Sequence, residues 1–204
     1  MSDTSEREYA LYGGTFDPIH MAHIKLADNA VNLLGLEELI FMPAYINPFK
    51  QGSTVSSAED RCAMIEAALS YNPAFSLSDY ECTKEGPSYT YETLQYLDGK
   101  YEGKLMFVLG MDSLVQVDSW FKGEEILKNY TLITARRPGT ADDEAMKKIN
   151  DFKTQYNADI YMMEMPPMDI SATQIRKNVQ EGKSIKGLVL PAVEEYIVEH
   201  QLYR

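Results

Sequence analysis

Cysteine, histidine, tryptophan and basic charge are all scarce in this 204-residue sequence. It has two Cys, three His and one Trp, with 19 Lys and Arg against 31 Asp and Glu. Cys62 and Cys82 stand twenty positions apart without a neighbouring His or Cys pair, so neither a disulfide framework nor a structural zinc site is expected, and both read as buried free thiols. No stretch approaches the ~18 apolar residues needed to span a bilayer. The opening MSDTSEREYALYGG lacks a cationic segment followed by an apolar run. A soluble, cytoplasmic protein with no membrane contact is the expectation. The net charge of −12 argues against a nucleic-acid surface, which would be built on Lys and Arg that neutralise phosphates. If the ligand is nonetheless a polyphosphate, the few basic side chains must converge on one place.

The hydrophobic content of 45% with 25% charged residues suits a globular α/β unit with a full core. Apolar runs of strand length recur at 9–12, 39–42, 75–77, 105–109, 130–134 and 160–163. Segments with helical periodicity lie between them at 22–34, 58–69, 90–97 and 145–156. This alternation predicts a mainly parallel, Rossmann-like sheet with helices on both faces, whose ligands bind beyond the carboxyl ends of the strands. One domain spanning 1–204 is expected, its helical part from about 170 to 204 packing as a small subdomain. Ser56 with Glu59 fits a capping box, and Pro191 opens a last amphipathic helix through Val193, Tyr196 and Ile197. The stretch from Tyr45 to Ser57 reads as a long, functional loop.

Chemistry concentrates in two segments. Gly13-Gly14-Thr15-Phe16-Asp17-Pro18-Ile19-His20-Met21-Ala22-His23 follows the first strand and opens the first helix. Its glycines let the backbone approach a ligand. Asp17 as N-cap and Pro18 at the next position would place His20 in the first turn, where free N–H groups favour an anion. His20 and His23, three apart, project to one side of a helix and can donate to phosphoryl oxygens. A metal-binding pair or two core histidines is the bland alternative. The segment is neither GxGxxG nor a Walker loop. Later, Ile170-Ser171-Ala172-Thr173-Gln174-Ile175-Arg176 carries a capping box, Ser171 with Gln174, and a hydrophobic staple, Ile170 with Ile175. Its amides, with Thr173 and Arg176, offer a second phosphate cradle, or simply a well-capped helix. Asp112, after Gly110 at the end of a strand, suits ribose hydroxyls or an N-cap.

These two segments resemble the GGTFDPxHxGH and ISSTxIR signatures of the nucleotidyltransferase family that shares a Rossmann-like fold and an HxGH motif. Ala22 stands where that family has Gly, and Ala172 where it has a second Ser. Several branches share both signatures, so other segments must choose among them. Pro43 to Lys50, Arg61, Ser88-Tyr89-Thr90-Tyr91-Glu92-Thr93-Leu94, Gly110-Met111-Asp112-Ser113 with Trp120, Arg136-Arg137-Pro138-Gly139 and the ending 190–203 together resemble bacterial nicotinate-nucleotide adenylyltransferases.

That resemblance implies transfer of AMP from ATP to nicotinic acid mononucleotide, giving deamido-NAD and pyrophosphate. It assigns His20, His23, Lys50 and Arg176 to catalysis. Gly13, Gly14, Thr15, Phe16, Gly110, Asp112, Ile170, Ser171 and Thr173 go with Arg176 to ATP. Ser88, Tyr89, Thr90, Trp120 and Arg137 go to the mononucleotide, Trp120 stacking on the pyridine and the amides near Thr90 receiving its carboxylate. Mg2+ would be carried mainly on ATP phosphates, since no Asp and Glu cluster is spaced to hold it by protein alone. Both substrates are small molecules, and a homo-oligomer is left open. The alternatives are a relative that uses another acceptor, such as phosphopantetheine, and a non-catalytic nucleotide sensor.

Overall fold

A computed structural model describes residues 7–45, 55–84, 88–136, 143–166 and 168–204. Lys50, Arg137 and most of the expected loop from Tyr45 to Ser57 lie outside them. Six strands, β1 (Glu8–Gly14), β2 (Glu38–Pro43), β3 (Phe75–Leu77), β4 (Lys104–Val108), β5 (Thr131–Arg136) and β6 (Ile160–Glu164), form one sheet in the order β3-β2-β1-β4-β5-β6. Every pairing is parallel. The chain leaves β1 on one side and β4 on the other, so their carboxyl ends part at a crevice, the switch point where such sheets bind ligands.

Strand periodicity explains how both faces are covered. In β1, Ala10 and Tyr12 join one buried cluster while Tyr9 and Leu11 join the other. Leu39 and Phe41 against Ile40 and Met42 do the same in β2, and Met106 and Val108 against Leu105 and Phe107 in β4. The first cluster is closed by α1 (Met21–Leu34), α2 (Ala58–Leu69), α8 (Ala172–Gln180) and α9 (Pro191–Glu199). The second is closed by α4 (Thr90–Asp98), α6 (Gly123–Asn129) and α7 (Asp143–Tyr156). Ile175, Ile185, Val189, Val193 and Ile197 from the C-terminal part lie in the same cluster as α1 and α2.

Local chemistry departs from the sequence expectation in several places. The N-cap of α2 is Ser57, whose hydroxyl accepts from Asp60 N–H at 3.0 Å, so the cap sits one residue past Ser56. The helices α3 (Tyr80–Thr83), α5 (Met111–Leu114) and α6 are additions. The first two span one turn, too short to show a repeat. Cys62 and Cys82 are free thiols, but half-buried, with sulfurs 3.8 Å apart between α2 and α3. Among the described residues no helix is long and apolar enough to cross a membrane.

Phe41 is fully buried and packs edge-on to Phe16 and Phe75, joining the sheet to the loop after β1. Phe41→Ala should cost about 3–5 kcal/mol. Urea unfolding should show a lower midpoint with an unchanged slope.

Candidate active site

The backbone between β1 and α1 runs without regular structure. Phe16 takes a left-handed conformation (φ 49) and puts its ring into the core, 2% exposed, so only its main chain can reach a ligand. A Cβ on Gly14 would lie 2.9 Å from that ring, so glycine lets loop and ring close up. The loop is held from beneath by Arg61 of α2, itself 2% exposed. Its guanidinium donates to the carbonyls of Thr15 (3.1 Å), Ala44 (2.6 Å) and Ser56 (3.2 Å). These three acceptors come from three segments.

Asp17 is not an N-cap. Its carboxylate is 3% exposed, accepts from the Tyr203 hydroxyl at 2.7 Å and from Ser56 N–H at 3.4 Å, and lies 3.9 Å from Arg176. With that carboxylate occupied elsewhere, α1 starts at Met21 and His20 becomes the N-cap. One first-turn donor, Met21 N–H, is taken by the Leu188 carbonyl at 2.9 Å, which narrows the anion site expected there.

The two histidine rings stack at 3.6 Å with 17° between planes. His20 is the inner ring, 6% exposed, and burial pushes its imidazole down to about 4, so it is neutral at pH 7. Its Nδ1 is buried without a hydrogen-bond partner. His23 Nδ1 accepts the His20 backbone N–H at 3.3 Å, which assigns the proton of a neutral His23 to Nε2 and makes that atom a donor.

A cleft in two compartments opens over these residues. One of about 610 Å³ is lined by Gly13, Gly14, Thr15, Phe16, Ala44, Glu81, Ser88, Thr90, Phe107, Leu109, Ser113, Gln116, Trp120 and Ile170. The other, of about 480 Å³, is lined by Ala22, Leu26, Met111, Val115, Ala135, Arg136, Ala145, Met165, Pro166 and Met168. Tyr12, His23, Gly110 and Asp112 belong to both walls and mark the junction. The arrangement can therefore hold two nucleoside-sized groups with their phosphates meeting at His23.

Thr90 starts α4, as the sequence implied, and Ser88 accepts from Tyr45 N–H at 3.2 Å. Trp120 packs against the core beside Phe107 and lines the larger compartment. Asp112 sits in the first turn of α5, whose N-cap is Gly110, so it is not the cap. Other residues fall short of the cleft walls. His20 lies behind His23. Tyr89 is the N-cap of α4 with its ring against Phe121 at 5.0 Å. Ser171 caps α8 by accepting Gln174 N–H at 3.2 Å, while the Gln174 side chain bonds Asn178 instead of closing the box. Thr173 and Arg176 pair at 3.3 Å beside Asp17, where Arg176 donates to the Asp17 carbonyl at 2.6 Å.

Sequence reasoning missed Glu81 of the cleft. Glu81 is 8% exposed, and its carboxylate takes the Thr93 hydroxyl at 2.5 Å. Burial raises its pKa, opposed by the hydroxyls of Thr93 and Ser88 and by Lys84. Arg136 lines the smaller compartment with Nε buried and unpaired, beside the Arg137 that sequence favoured. No motif spacing flags Glu81, whose place depends on a short helix, while Arg136 stood in a segment quoted for the family resemblance without a role of its own.

Among the described residues no group of three His, Cys, Asp or Glu could hold a metal ion. A family profile described as cytidylyltransferase-like matches residues 11–178. A Caldicellulosiruptor bescii protein named "Probable nicotinate-nucleotide adenylyltransferase" is 40% identical over 96% of this chain and 98% of its own. Two solved structures of Plasmodium falciparum nicotinic acid mononucleotide adenylyltransferase share the fold. The one complexed with NaAD has a TM-score of 0.76 and the one complexed with APC 0.75, each 23% identical over 97% of both chains.

Two measurements check the site. Arg61→Met leaves its three carbonyls unpaired and should cost about 3 kcal/mol. That is a drop of roughly 10 °C in Tm by thermal melting. For His20, the folded form resists protonation until about pH 4 while the unfolded chain takes a proton near 6.5. Its contribution is thus constant above pH 6.5 and lost as pH falls toward 4, by up to about 3 kcal/mol. His20→Asn keeps a good N-cap residue and should flatten that part of the Tm against pH curve.

Proposed function

The chain belongs to the nicotinate-nucleotide adenylyltransferase family, and on that premise we propose that it joins the AMP part of ATP to nicotinic acid mononucleotide, releasing pyrophosphate and forming deamido-NAD. The observation that carries this reading is the two-compartment cleft with His23 at its junction. Adenosine goes to the compartment of Met111, Arg136 and Met165, and the pyridine nucleotide to that of Ser88, Thr90 and Trp120. The N-terminal amides of α4 at Thr90 favour a carboxylate, hence the acid over the amide.

The 5′-phosphate of the mononucleotide attacks the α-phosphorus of ATP directly, and the bond to the pyrophosphate oxygen breaks. The nucleophile is already an anion, so no general base is required. Catalysis rests on aligning the two phosphates and offsetting charge as pyrophosphate departs. His23 Nε2–H donates to the reacting phosphoryl group, with the Thr15 hydroxyl, buried and unpaired in the structure, as a second donor. Neutral His20 supports His23 from behind. Arg176, Thr173 and Lys50 attend the leaving phosphates, and Arg137 the mononucleotide; Lys50 and Arg137 take these roles from the family resemblance alone. Asp112 accepts from a ribose hydroxyl. A magnesium ion would come in on the ATP oxygens, where it would lower the charge on the triphosphate. The reaction belongs to soluble NAD synthesis, which we place in the cytoplasm.

The test is pyrophosphate release from ATP and Mg2+ with nicotinic acid mononucleotide, nicotinamide mononucleotide or phosphopantetheine. Strong preference for the first is expected. Preference for another acceptor would overturn the pyridine assignment, and no release with any would favour a sensor. In the same assay His23→Ala should lower kcat by about 10²–10³-fold with Tm nearly unchanged, as for loss of one transition-state donor.

A further inference from the structure

The last residues of the chain take no part in the reaction described above, yet they reach its phosphate loop. After α9, Gln201 and Tyr203 both adopt left-handed backbone (φ 54 and 62), which non-glycine residues adopt only when surrounding contacts hold them there. Those contacts turn the tail back onto α2, where Leu202 and Tyr203 pack against the core. From there the Tyr203 hydroxyl donates its 2.7 Å bond to Asp17 Oδ1. Asp17 directly follows Phe16 and precedes His20 by three positions. A buried carboxylate next to a polyphosphate loop has two consequences. Left unsatisfied it would pull the loop toward other donors, and turned outward it would repel the substrate phosphates. Ser56 N–H at 3.4 Å and Arg176 at 3.9 Å are long contacts, so among the described residues the Tyr203 bond is the shortest hold on that carboxylate.

We propose that Tyr203 is a positioning residue for nucleotidyl transfer: its hydroxyl, acting through Asp17, holds the loop from Thr15 to His20 in the arrangement that presents His23 to the reacting phosphates. Burial holds the phenol well above its usual pKa, so it stays a proton donor throughout the neutral range. Because the effect passes through geometry at the reacting group, it belongs in kcat more than in the affinity for the mononucleotide. The proposal rests on the adenylyl-transfer reading given above.

The experiment compares Tyr203→Phe, Asp17→Asn, their double variant and Tyr196→Phe in the full chain, by steady-state pyrophosphate release well below each Tm. Tyr196 is the matched control, since its hydroxyl also joins the C-terminal segment to α2, at Asp60 Oδ1 (3.0 Å), but away from the loop. Expected are a fall of about tenfold in kcat for Tyr203→Phe with KM for nicotinic acid mononucleotide within twofold. Tyr196→Phe should keep kcat within twofold, and Tyr203→Phe should add less than twofold in the Asp17→Asn background. The proposal is overturned if Tyr203→Phe keeps kcat within twofold, if Tyr196→Phe falls equally, or if the two losses multiply. Should Asp17→Asn fail to fold, the Tyr203 and Tyr196 comparison decides alone. If the wild type prefers another acceptor, the acceptor assignment fails while the same variants, assayed with that acceptor, still test Tyr203. If no acceptor supports release, both readings fall.

Discussion

The site depends on a buried cation that, among the described residues, has no ion pair and is solvated by three carbonyl oxygens. Arg61 draws Thr15, Ala44 and Ser56 onto one guanidinium, whose planar fork of N–H groups serves three acceptors from different directions. A trans peptide places C=O and N–H on opposite sides. Pulling the Thr15 carbonyl toward Arg61 therefore turns the next N–H, that of Phe16, away from α2 and toward the cleft that both residues line. The left-handed Phe16 and the close fit of Gly14 against its ring follow from the same demand. Arg61 thus sets the backbone on which the phosphate donors are mounted.

An overall charge of −12 is a poor start for a protein whose proposed substrates are two phosphate esters. The structure resolves the conflict by distance. Exposed charges are screened beyond about 10 Å in physiological salt, whereas donors in contact with the phosphates are not. On the proposed reading the local donors are dipoles as much as ions: His23 Nε2–H, the Thr15 hydroxyl, and amides at the starts of helices. Even Arg176 spends one nitrogen on the Asp17 carbonyl, so part of its role is to tie α8 to the first loop.

Most of the architecture was legible because strand and helix periods were clean. All six strands and the four long helices lie where apolar runs and 3.6-residue repeats put them, to within a residue or two. What sequence could not supply was competition from distant partners. Asp17 and Pro18 form a good helix start in isolation, but Tyr203, 186 positions away, claims the carboxylate and the helix begins later. Ser171 kept its cap through Gln174 N–H three residues on, whereas the Gln174 side chain turned to Asn178. Glu81, and the part that Arg136 takes in the cleft wall, stayed hidden for a similar reason. Their place in the cleft is created by a one-turn helix and by the end of β5, neither of which has a repeating pattern.

The two departures from the family signatures can be weighed on the same terms. Ala22 occupies the second position of α1, where the backbone is helical, so the freedom of glycine is not needed and only its small size is at stake. Its methyl group lies in the wall of the smaller compartment, alongside Leu26, Met111 and Met165, where added apolar surface suits a nucleoside base. Ala172 is the first residue of α8, and the cap there is made by Ser171 through Gln174 N–H, so the missing hydroxyl takes nothing from the helix start. Any loss is confined to one direct phosphate contact, while Thr173 and Arg176, bonded to each other one turn along, remain beside the loop. The departures therefore fall where backbone placement sets the chemistry, and the interactions that fix that placement, Arg61 beneath and Tyr203 behind, are intact.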